Sequence, residues 1–209
     1  KKFDDFYEEH FRLSEKYTSK ADLSNKCKEK YSAVLVGSDQ LWLPSNIMAG
    51  YYTWSWVPQD VKKIAYATSF GIGSIPAKYS KIYSHYLKRI NYLSARETSG
   101  QDIIKKLAGR DVQLVNDPAL LLDADGWNEV ISNESLIKEK YVFCYFMGNN
   151  PEQRDFVRKL ANEKGLKVVA LLHLDQYIAS DENYVDMAPW HVSPADFVNL
   201  VKNAECVCT

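Results

Sequence analysis

The 209-residue chain is 46% hydrophobic and 25% charged, and its 26 basic and 27 acidic residues give a formal net charge of -1 at pH 7. This composition is typical of a folded globular protein and excludes an intrinsically disordered chain. The balanced charge argues against a nucleic acid as partner. No apolar run approaches the roughly 18 residues of a transmembrane helix, and no secretory signal peptide is recognisable. We therefore expect a cytoplasmic protein without a transmembrane segment, and peripheral membrane contact stays open.

Seven short apolar runs are predicted as β-strands. Most are apolar on both faces, which is typical of a parallel sheet that helices cover on both sides. The runs are residues 34–36, 64–69, 92–95, 112–115, 142–147, 167–172 and 206–208.

Two helices are predicted between the early strands. In residues 79–90, tyrosine and isoleucine side chains recur at three- and four-residue steps, which predicts an amphipathic helix. In residues 98–107, the pattern Thr98-x-x-Gln101 predicts a capping box at the start of a helix, and Gly109 predicts its end.

Two more helices are predicted near the C-terminus. Asn150-Pro151 and Ser193-Pro194 each predict a helix start, because Asn and Ser cap helices and proline suits the first turn. The alternation of strands and helices predicts an α/β fold of the doubly wound kind. Turn-rich and charged residues between positions 117 and 140 predict a domain boundary, which we place so that residues 1–122 form one domain and residues 123–209 the next.

The four cysteines, Cys27, Cys144, Cys206 and Cys208, fit neither a zinc site nor a disulfide framework. Cys206 and Cys208 alternate on a predicted strand and share a face, but they lack a second pair of ligands. We expect buried free thiols in a reducing compartment, and neither a bound metal nor a cofactor.

Polar residues leave four predicted strands at their carboxyl ends, the edge at which open parallel sheets bind ligands. After the first strand come Ser38, Asp39 and Gln40, and Trp42 offers a flat apolar face of the kind that stacks on sugar rings. This segment is either a ligand-binding rim or a capped turn with Trp42 in the core.

Arg96 and Glu97 directly follow the third predicted strand. An arginine beside an acidic residue forms either a structural ion pair or, if it points into a cleft, a binding group for carboxylate or phosphate. Gly148 and Asn149 precede a helix start, where backbone N–H groups favour an anion. Four histidines are further candidates, and the segment around two of them, His173 and His191, is either a solvated loop or a substrate loop.

Five segments together resemble the polysaccharide pyruvyl transferase family, and the likeness covers nearly the whole chain. In order, the segments are VGSDQLW (36–42), IAYATSFG (64–71), SARETSG (94–100), NDPALLL (116–122) and SPADFVNLVKNAECVCT (193–209). The resemblance implies two Rossmann-like domains in a GT-B-like arrangement, with the active site in the cleft between them. It also implies metal-free transfer of a pyruvyl group from phosphoenolpyruvate to two hydroxyls of a sugar or polysaccharide precursor, giving a ketal.

By this resemblance Ser38, Asp39, Gln40, Arg96 and Glu97 belong to the site, and Trp42 borders it. The sequence departs from the family at Leu43, where asparagine is usual, and at Ser193, where glycine is usual. The resemblance further implies that a glycine-rich strand precedes Lys1 and that a Ser-Phe-His-Gly motif with the general acid follows Thr209. On that basis we expect an incomplete second domain, a catalytic histidine outside the sequence, and no turnover by these 209 residues alone.

Two other function classes remain open at this stage. A GT-B glycosyltransferase that uses a nucleotide sugar would share the architecture, and a non-catalytic interaction protein could keep the fold. The sequence leaves open the identity of the sugar, its modified hydroxyls and the oligomeric state.

Overall fold

The structure, a computed structural model, describes residues 1–132, 134–173 and 175–209. Its helices are α1 (Lys2–His10), α2 (Lys20–Lys30), α3 (Pro44–Ile47), α4 (Ser80–Arg89), α5 (Thr98–Ala108), α6 (Ala124–Asn128), α7 (Pro151–Lys164) and α8 (Pro194–Lys202). Its strands are β1 (Ala33–Gly37), β2 (Lys62–Thr68), β3 (Tyr92–Ala95), β4 (Gln113–Leu114), β5 (Tyr141–Cys144), β6 (Lys167–Ala170) and β7 (Cys206–Cys208). Each predicted strand is present, and the predicted ends are displaced by a few residues at most.

The chain divides into two compact units. Residues Glu15–Asp123 form what we call the four-stranded unit, and Lys1–Ser14 with Ala124–Thr209 form the three-stranded unit. The sequence prediction placed residues 1–14 in the first domain, whereas the structure groups them with the later unit. The reason is that α1 packs on α8, and Lys2 Nζ lies 2.8 Å from Asp196 Oδ2. The GT-B-like arrangement and the incompleteness of the second domain stay predictions.

The four-stranded sheet is parallel, with the strand order β1-β2-β3-β4. One face carries Val36, Ala65 and Ala95, which are buried in one core with residues of α4 and α5. On the other face, Leu35 and Tyr92 are 62% and 59% exposed. The expectation that helices cover these strands on both faces is therefore wrong at those positions.

The three-stranded sheet is also parallel, with the order β6-β5-β7. Its central strand β5 is fully buried: Val142 and Cys144 lie in one core cluster, and Tyr141 and Phe143 lie in another that includes Leu200 of α8. Parallel strands with helices between them make both units Rossmann-like, as predicted. Within the described residues, no helix combines the length and the apolar character needed to cross a bilayer.

The predicted helix ends are mostly confirmed. Asn150 Oδ1 accepts the Glu152 N–H at 3.1 Å, and Ser193 and Asp196 form a reciprocal capping box at the start of α8. Helix α5 ends at Gly109 in the left-handed conformation, with φ 71°. The predicted capping box at its start is wrong, because Gln101 donates its side-chain N–H to the Val112 carbonyl at 2.7 Å.

The four cysteines are free, as predicted. Cys27 and Cys144 are buried, and Cys206 and Cys208 are half-buried. Burial raises the pKa of the Cys144 thiol to about 12, so this thiol is neutral at physiological pH and packs as a small apolar group.

Candidate functional site

The chain leaves β1 through two consecutive residues in the left-handed conformation. Ser38 and Asp39 have φ values of 58° and 52°, which cost non-glycine residues about 1–3 kcal/mol each and cluster at functional sites. They turn the chain across the carboxyl end of β2, where the Ser38 N–H donates to the Tyr66 carbonyl and the Asp39 carbonyl accepts the Ser69 N–H, both at 2.9 Å. The strain thus places the Ser38 side chain above the sheet edge.

Arg96 follows β3 at the same edge, and its guanidinium is bound on two sides. Nε donates to Glu97 Oε1 at 3.0 Å. Nη1 donates to Ser38 Oγ at 3.2 Å and to Asp117 Oδ2 at 2.8 Å. Nη2 has no hydrogen-bond partner among the described residues, and the side chain is 26% exposed. The arginine is thus an ion-pair residue that keeps one nitrogen available.

Asp117 completes the cluster from beyond β4. Its Oδ2 accepts hydrogen bonds from Ser38 Oγ and from Arg96, and its Oδ1 accepts the Ala119 N–H at 3.0 Å, capping a short 3₁₀ helix. Because β1 and β4 are the outer strands of the sheet, these contacts join strand ends that lie about 14 Å apart at the usual strand spacing. We call Ser38, Arg96, Glu97 and Asp117 the strand-end cluster.

The charges of the strand-end cluster are fixed at neutral pH. The hydrogen bond from Ser38, the Ala119 N–H and Arg96 lower the pKa of Asp117 below its ordinary value, so it is a carboxylate. The hydrogen bonds to Asp117 and Glu97 raise the pKa of Arg96 further above its ordinary value. One guanidinium and two carboxylates therefore give the cluster a formal charge of -1 when Glu97 is ionised.

Helix α5 begins beside Arg96 and its first turn has no side-chain cap. Glu97 is the N-cap residue, but its carboxylate binds Arg96 and accepts no N–H of the helix. The first turn contains no acidic residue, and Gly100 in that turn is buried against Ala95. The positive end of the helix dipole and the first N–H groups thus lie next to the guanidinium, an arrangement that favours an anion.

Asp39 and Gln40 lie beside this cluster, and Gln40 is exposed. Asp39 Oδ1 accepts the Gln40 N–H at 2.6 Å, and the Gln40 side chain lies so close to Gly71 that a Cβ there would come within 3.0 Å of its amide. Gly71 also has a φ of 66°, so only glycine suits this position. Both polar side chains can reach a ligand, and their place in an interdomain cleft stays a prediction.

Trp42 is a core residue, which corrects the prediction that it borders a ligand. Its side chain is fully buried and contacts Phe70 and Tyr86, with ring centroids 5.3 and 5.4 Å away. Its indole N–H donates to the Tyr52 carbonyl at 2.9 Å. The physical reason is that the backbone crosses β2 before Trp42, so the ring turns inward under the strand ends and no face is left for a sugar.

Gly148 and Asn149 belong to the three-stranded unit, where the contacts argue against the predicted anion site. The Gly148 N–H donates to His173 Nε2 at 3.3 Å, and the Glu152 N–H is used by the Asn150 cap. The acidic Glu152 lies in the first turn of α7, where it repels an anion. Asn149 is exposed.

A cavity of about 510 Å³ lies at the carboxyl edge of this second sheet. It is lined by Asn150, Glu152, Phe156 and Val207, among others, and by neither Gly148 nor Asn149. In the described parts of the chain, no group of three or more His, Cys, Asp or Glu side chains is arranged to hold a metal ion.

The four histidines lie outside the strand-end cluster. His10, on α1, contacts the Phe6 ring at 4.5 Å between ring centroids, and His85 on α4 is exposed. His173 accepts the Gly148 N–H, and His191 is exposed with a φ of 58°. Within the described residues none of them bonds to the cluster, so no histidine is assigned a catalytic role.

Sequence reasoning missed Asp117 as a site residue and interpreted Asp117-Pro118 only as the end of a strand. A usable signal was present, because this acid follows the strand 112–115 just as Arg96 follows the third strand and Ser38 the first. In a parallel sheet those positions share one edge.

A sequence model of the polysaccharide pyruvyl transferase family matches residues 2–209 of the chain. No curated protein matches it.

Proposed function

The chain belongs to the polysaccharide pyruvyl transferase family, and from that premise we propose that it transfers a pyruvyl group from phosphoenolpyruvate to two hydroxyls of a sugar, forming a ketal, with the donor bound at Arg96. The observation that carries the proposal is the available Nη2 of Arg96 beside the uncapped start of α5.

The donor requires such an arrangement because it carries both a phosphate and a carboxylate. Guanidinium N–H groups and helix N-termini are two binding groups that suit these anions. In the four-stranded unit Arg96 supplies the first and α5 the second, and both lie at the carboxyl edge of the sheet. Thr98 and Ser99 add hydroxyl groups in the first turn of the helix.

The carboxylates of the cluster suit the acceptor. Sugar hydroxyls donate hydrogen bonds, and Asp39 and Glu97 offer acceptor oxygens near Arg96, with Gln40 able to donate or accept. A site with one guanidinium and several acceptors is thus divided between an anionic donor and a neutral polyol.

The chemistry that we propose proceeds in balanced steps. A proton added to the methylene carbon of phosphoenolpyruvate creates an oxocarbenium-like centre at C2, which the first sugar hydroxyl attacks with loss of its proton. Departure of phosphate regenerates the electrophilic centre, and the second hydroxyl closes the ketal with loss of its own proton. The enol phosphate is already activated, so the proposal includes no cofactor. The general acid is not assigned to any residue.

The test measures donor binding and turnover in matched variants of the purified protein. Arg96→Ala should abolish the thermal stabilisation by phosphoenolpyruvate and the acceptor-dependent release of phosphate. Arg12→Ala, which removes an exposed arginine, should change neither. If Arg96→Ala binds phosphoenolpyruvate as the parent does, the site is wrong. If the parent is stabilised by a nucleotide sugar and not by phosphoenolpyruvate, a glycosyltransferase replaces the proposal.

A further inference from the structure

Asp117 presents a contradiction in a site for an anionic donor. Its carboxylate lies 2.8 Å from the one guanidinium of the cluster, and Glu97 lies 3.0 Å from the same group. Each negative charge repels phosphoenolpyruvate and neutralises part of the cation that should bind it. If charge alone mattered, the protein would bind its donor better without either acid.

The geometry around Asp117 differs from that around Glu97. Asp117 Oδ2 accepts from both Ser38 Oγ and Arg96 Nη1, while Ser38 Oγ also accepts from Arg96. These three contacts close a ring that spans the ends of β1, β3 and β4. Glu97, by contrast, meets the guanidinium only at Nε, and it is the neighbour of Arg96 in the chain.

We infer that Asp117 is a positioning residue for the donor: it holds the guanidinium of Arg96 by Nη1, so that Nη2 is the nitrogen that meets phosphoenolpyruvate. The inference rests on the proposed function. Three of the five N–H groups of Arg96 are used by Glu97, Asp117 and Ser38, which leaves the two on Nη2. A guanidinium bound in this way cannot rotate away from the edge of the sheet without breaking the contacts to Asp117 and Ser38.

Asp117 acts through Arg96 and not as a base. The lowered pKa of its carboxyl makes it a weak proton acceptor near neutral pH. Both of its oxygens are already bonded within the protein, so it is not placed to contact a sugar hydroxyl directly.

The decisive experiment compares Asp117→Asn with Glu97→Gln, because each removes one negative charge beside the same guanidinium. In Asp117→Asn the new amide oxygen can still cap the 3₁₀ helix through the Ala119 N–H, but the amide NH₂ group meets the N–H of Arg96 and no longer holds it. In Glu97→Gln an amide oxygen remains for Nε. Donor affinity is measured by calorimetric titration of phosphoenolpyruvate into each purified variant.

The positioning role predicts opposite signs in the two variants. Asp117→Asn should weaken donor binding about tenfold or more, since a displacement of about 1 Å in a positioning group costs up to about 100-fold. Glu97→Gln should strengthen it about two- to threefold, the effect of removing a like charge about 7 Å away in water. Ser38→Ala, which breaks the ring at another point, should weaken binding in the same direction as Asp117→Asn.

The outcomes separate this inference from the function on which it rests. If the parent protein does not bind phosphoenolpyruvate, the proposed function fails. If the parent binds it and Asp117→Asn binds it equally or more tightly, Asp117 matters only through its charge or for stability, and the inference is overturned. Circular dichroism and thermal unfolding of each variant show whether a loss of binding comes from loss of the fold, and Ser38→Ala carries the test if Asp117→Asn does not fold.

Discussion

Arg96 and Arg154 occupy comparable places in the two units and have different surroundings. Each lies near the carboxyl edge of a parallel sheet and the start of a helix. Arg154 is 2% exposed, and it donates to Asp181 Oδ1 through both Nε and Nη2, at 3.0 and 2.9 Å. It also donates to the carbonyls of Gly148 and Asn150.

The environment of Arg154 is that of a structural arginine. Its guanidinium carbon lies 4.9 Å from the centroid of the Phe146 ring and 5.8 Å from that of Tyr184. Hydrogen bonds and ring faces thus enclose it, whereas Arg96 remains 26% exposed with one nitrogen available. The comparison teaches that an arginine at a strand end is a candidate binding group only when its neighbours leave part of the guanidinium available.

The backbone shows the same contrast. In the four-stranded unit, the non-glycine residues Ser38, Asp39 and Ala67 adopt positive φ values at or next to the carboxyl ends of β1 and β2. In the three-stranded unit, the corresponding turn after β5 uses Gly148, with a φ of 78° and without that cost. Strain held by ordinary residues at one sheet edge supports a functional role for that edge.

The largest expected effect is on stability, from Arg154→Ala. Removing this arginine leaves Asp181 without its buried partner, and breaking a buried ion pair costs about 3–5 kcal/mol. Urea unfolding should show that loss for Arg154→Ala but only about 1 kcal/mol for Arg96→Ala, whose ion pairs are partly exposed. Arg158→Ala, with a partner at Asp186 and 28% exposure, is the matched control in the same helix and should resemble Arg96→Ala. Equal losses at Arg96 and Arg154 would remove the distinction between the two sites.

The second effect tests whether the core begins directly beneath the strand-end cluster. Trp42→Phe deletes a buried N–H and leaves the Tyr52 carbonyl without that donor, which costs about 1–3 kcal/mol. Trp56→Phe deletes the same kind of bond, to the Tyr51 carbonyl, but at a more exposed position, and should cost less than about 1 kcal/mol. Unfolding by urea measures both. Phosphoenolpyruvate affinity should be unchanged in Trp42→Phe, and a large change in it would return Trp42 to the ligand site.

The third effect measures the strain itself. Ala65→Gly and Ala67→Gly make the same chemical change in β2, where both side chains are buried, but only Ala67 has a positive φ, of 54°. Ala65→Gly should destabilise the protein by about 1–2 kcal/mol, from the lost methyl group and the added freedom of the unfolded chain. Ala67→Gly should cost about 1 kcal/mol less, since glycine has no penalty in the left-handed region. Identical losses would mean that Ala67 is not strained.

The sequence predicted what local chemistry determines and missed what distant residues determine. Short apolar runs indicated the strands, and Asn150 and Ser193 indicated helix starts, because capping depends on residues within one turn. The capping box expected at Thr98 does not form, since Gln101 binds Val112, eleven residues along the chain. A single-sequence pattern contains no information about such a partner.

The candidate site shows the same limit. Ser38, Arg96 and Glu97 were predicted from their positions after strands, and the structure brings them together. Asp117 was missed because its partner Ser38 lies 79 residues away in the chain. The burial of Trp42 was one of two open alternatives, and only the path of the backbone across β2 decides between them.

The smallest expected effect is the pH dependence of the contribution that Asp117 makes to stability. Its folded-state pKa is lowered, chiefly by the Ser38 hydrogen bond, so its contribution is fully present above the unfolded pKa of about 3.9 and is lost as pH falls through the folded pKa. The difference in unfolding free energy between the parent and Asp117→Asn should therefore be constant from pH 7 to about pH 5 and shrink below about pH 4. It should amount to less than about 1 kcal/mol, because the side chain is 35% exposed. Urea unfolding across the range from neutral to acidic pH measures it. In a Ser38→Ala background the pH-dependent part should fall more than in an Arg96→Ala background, because the hydroxyl does more than the guanidinium to lower this pKa. A difference that grows on acidification would show that Asp117 binds its proton more tightly in the folded protein, and would contradict the ring of contacts that joins it to Ser38 and Arg96.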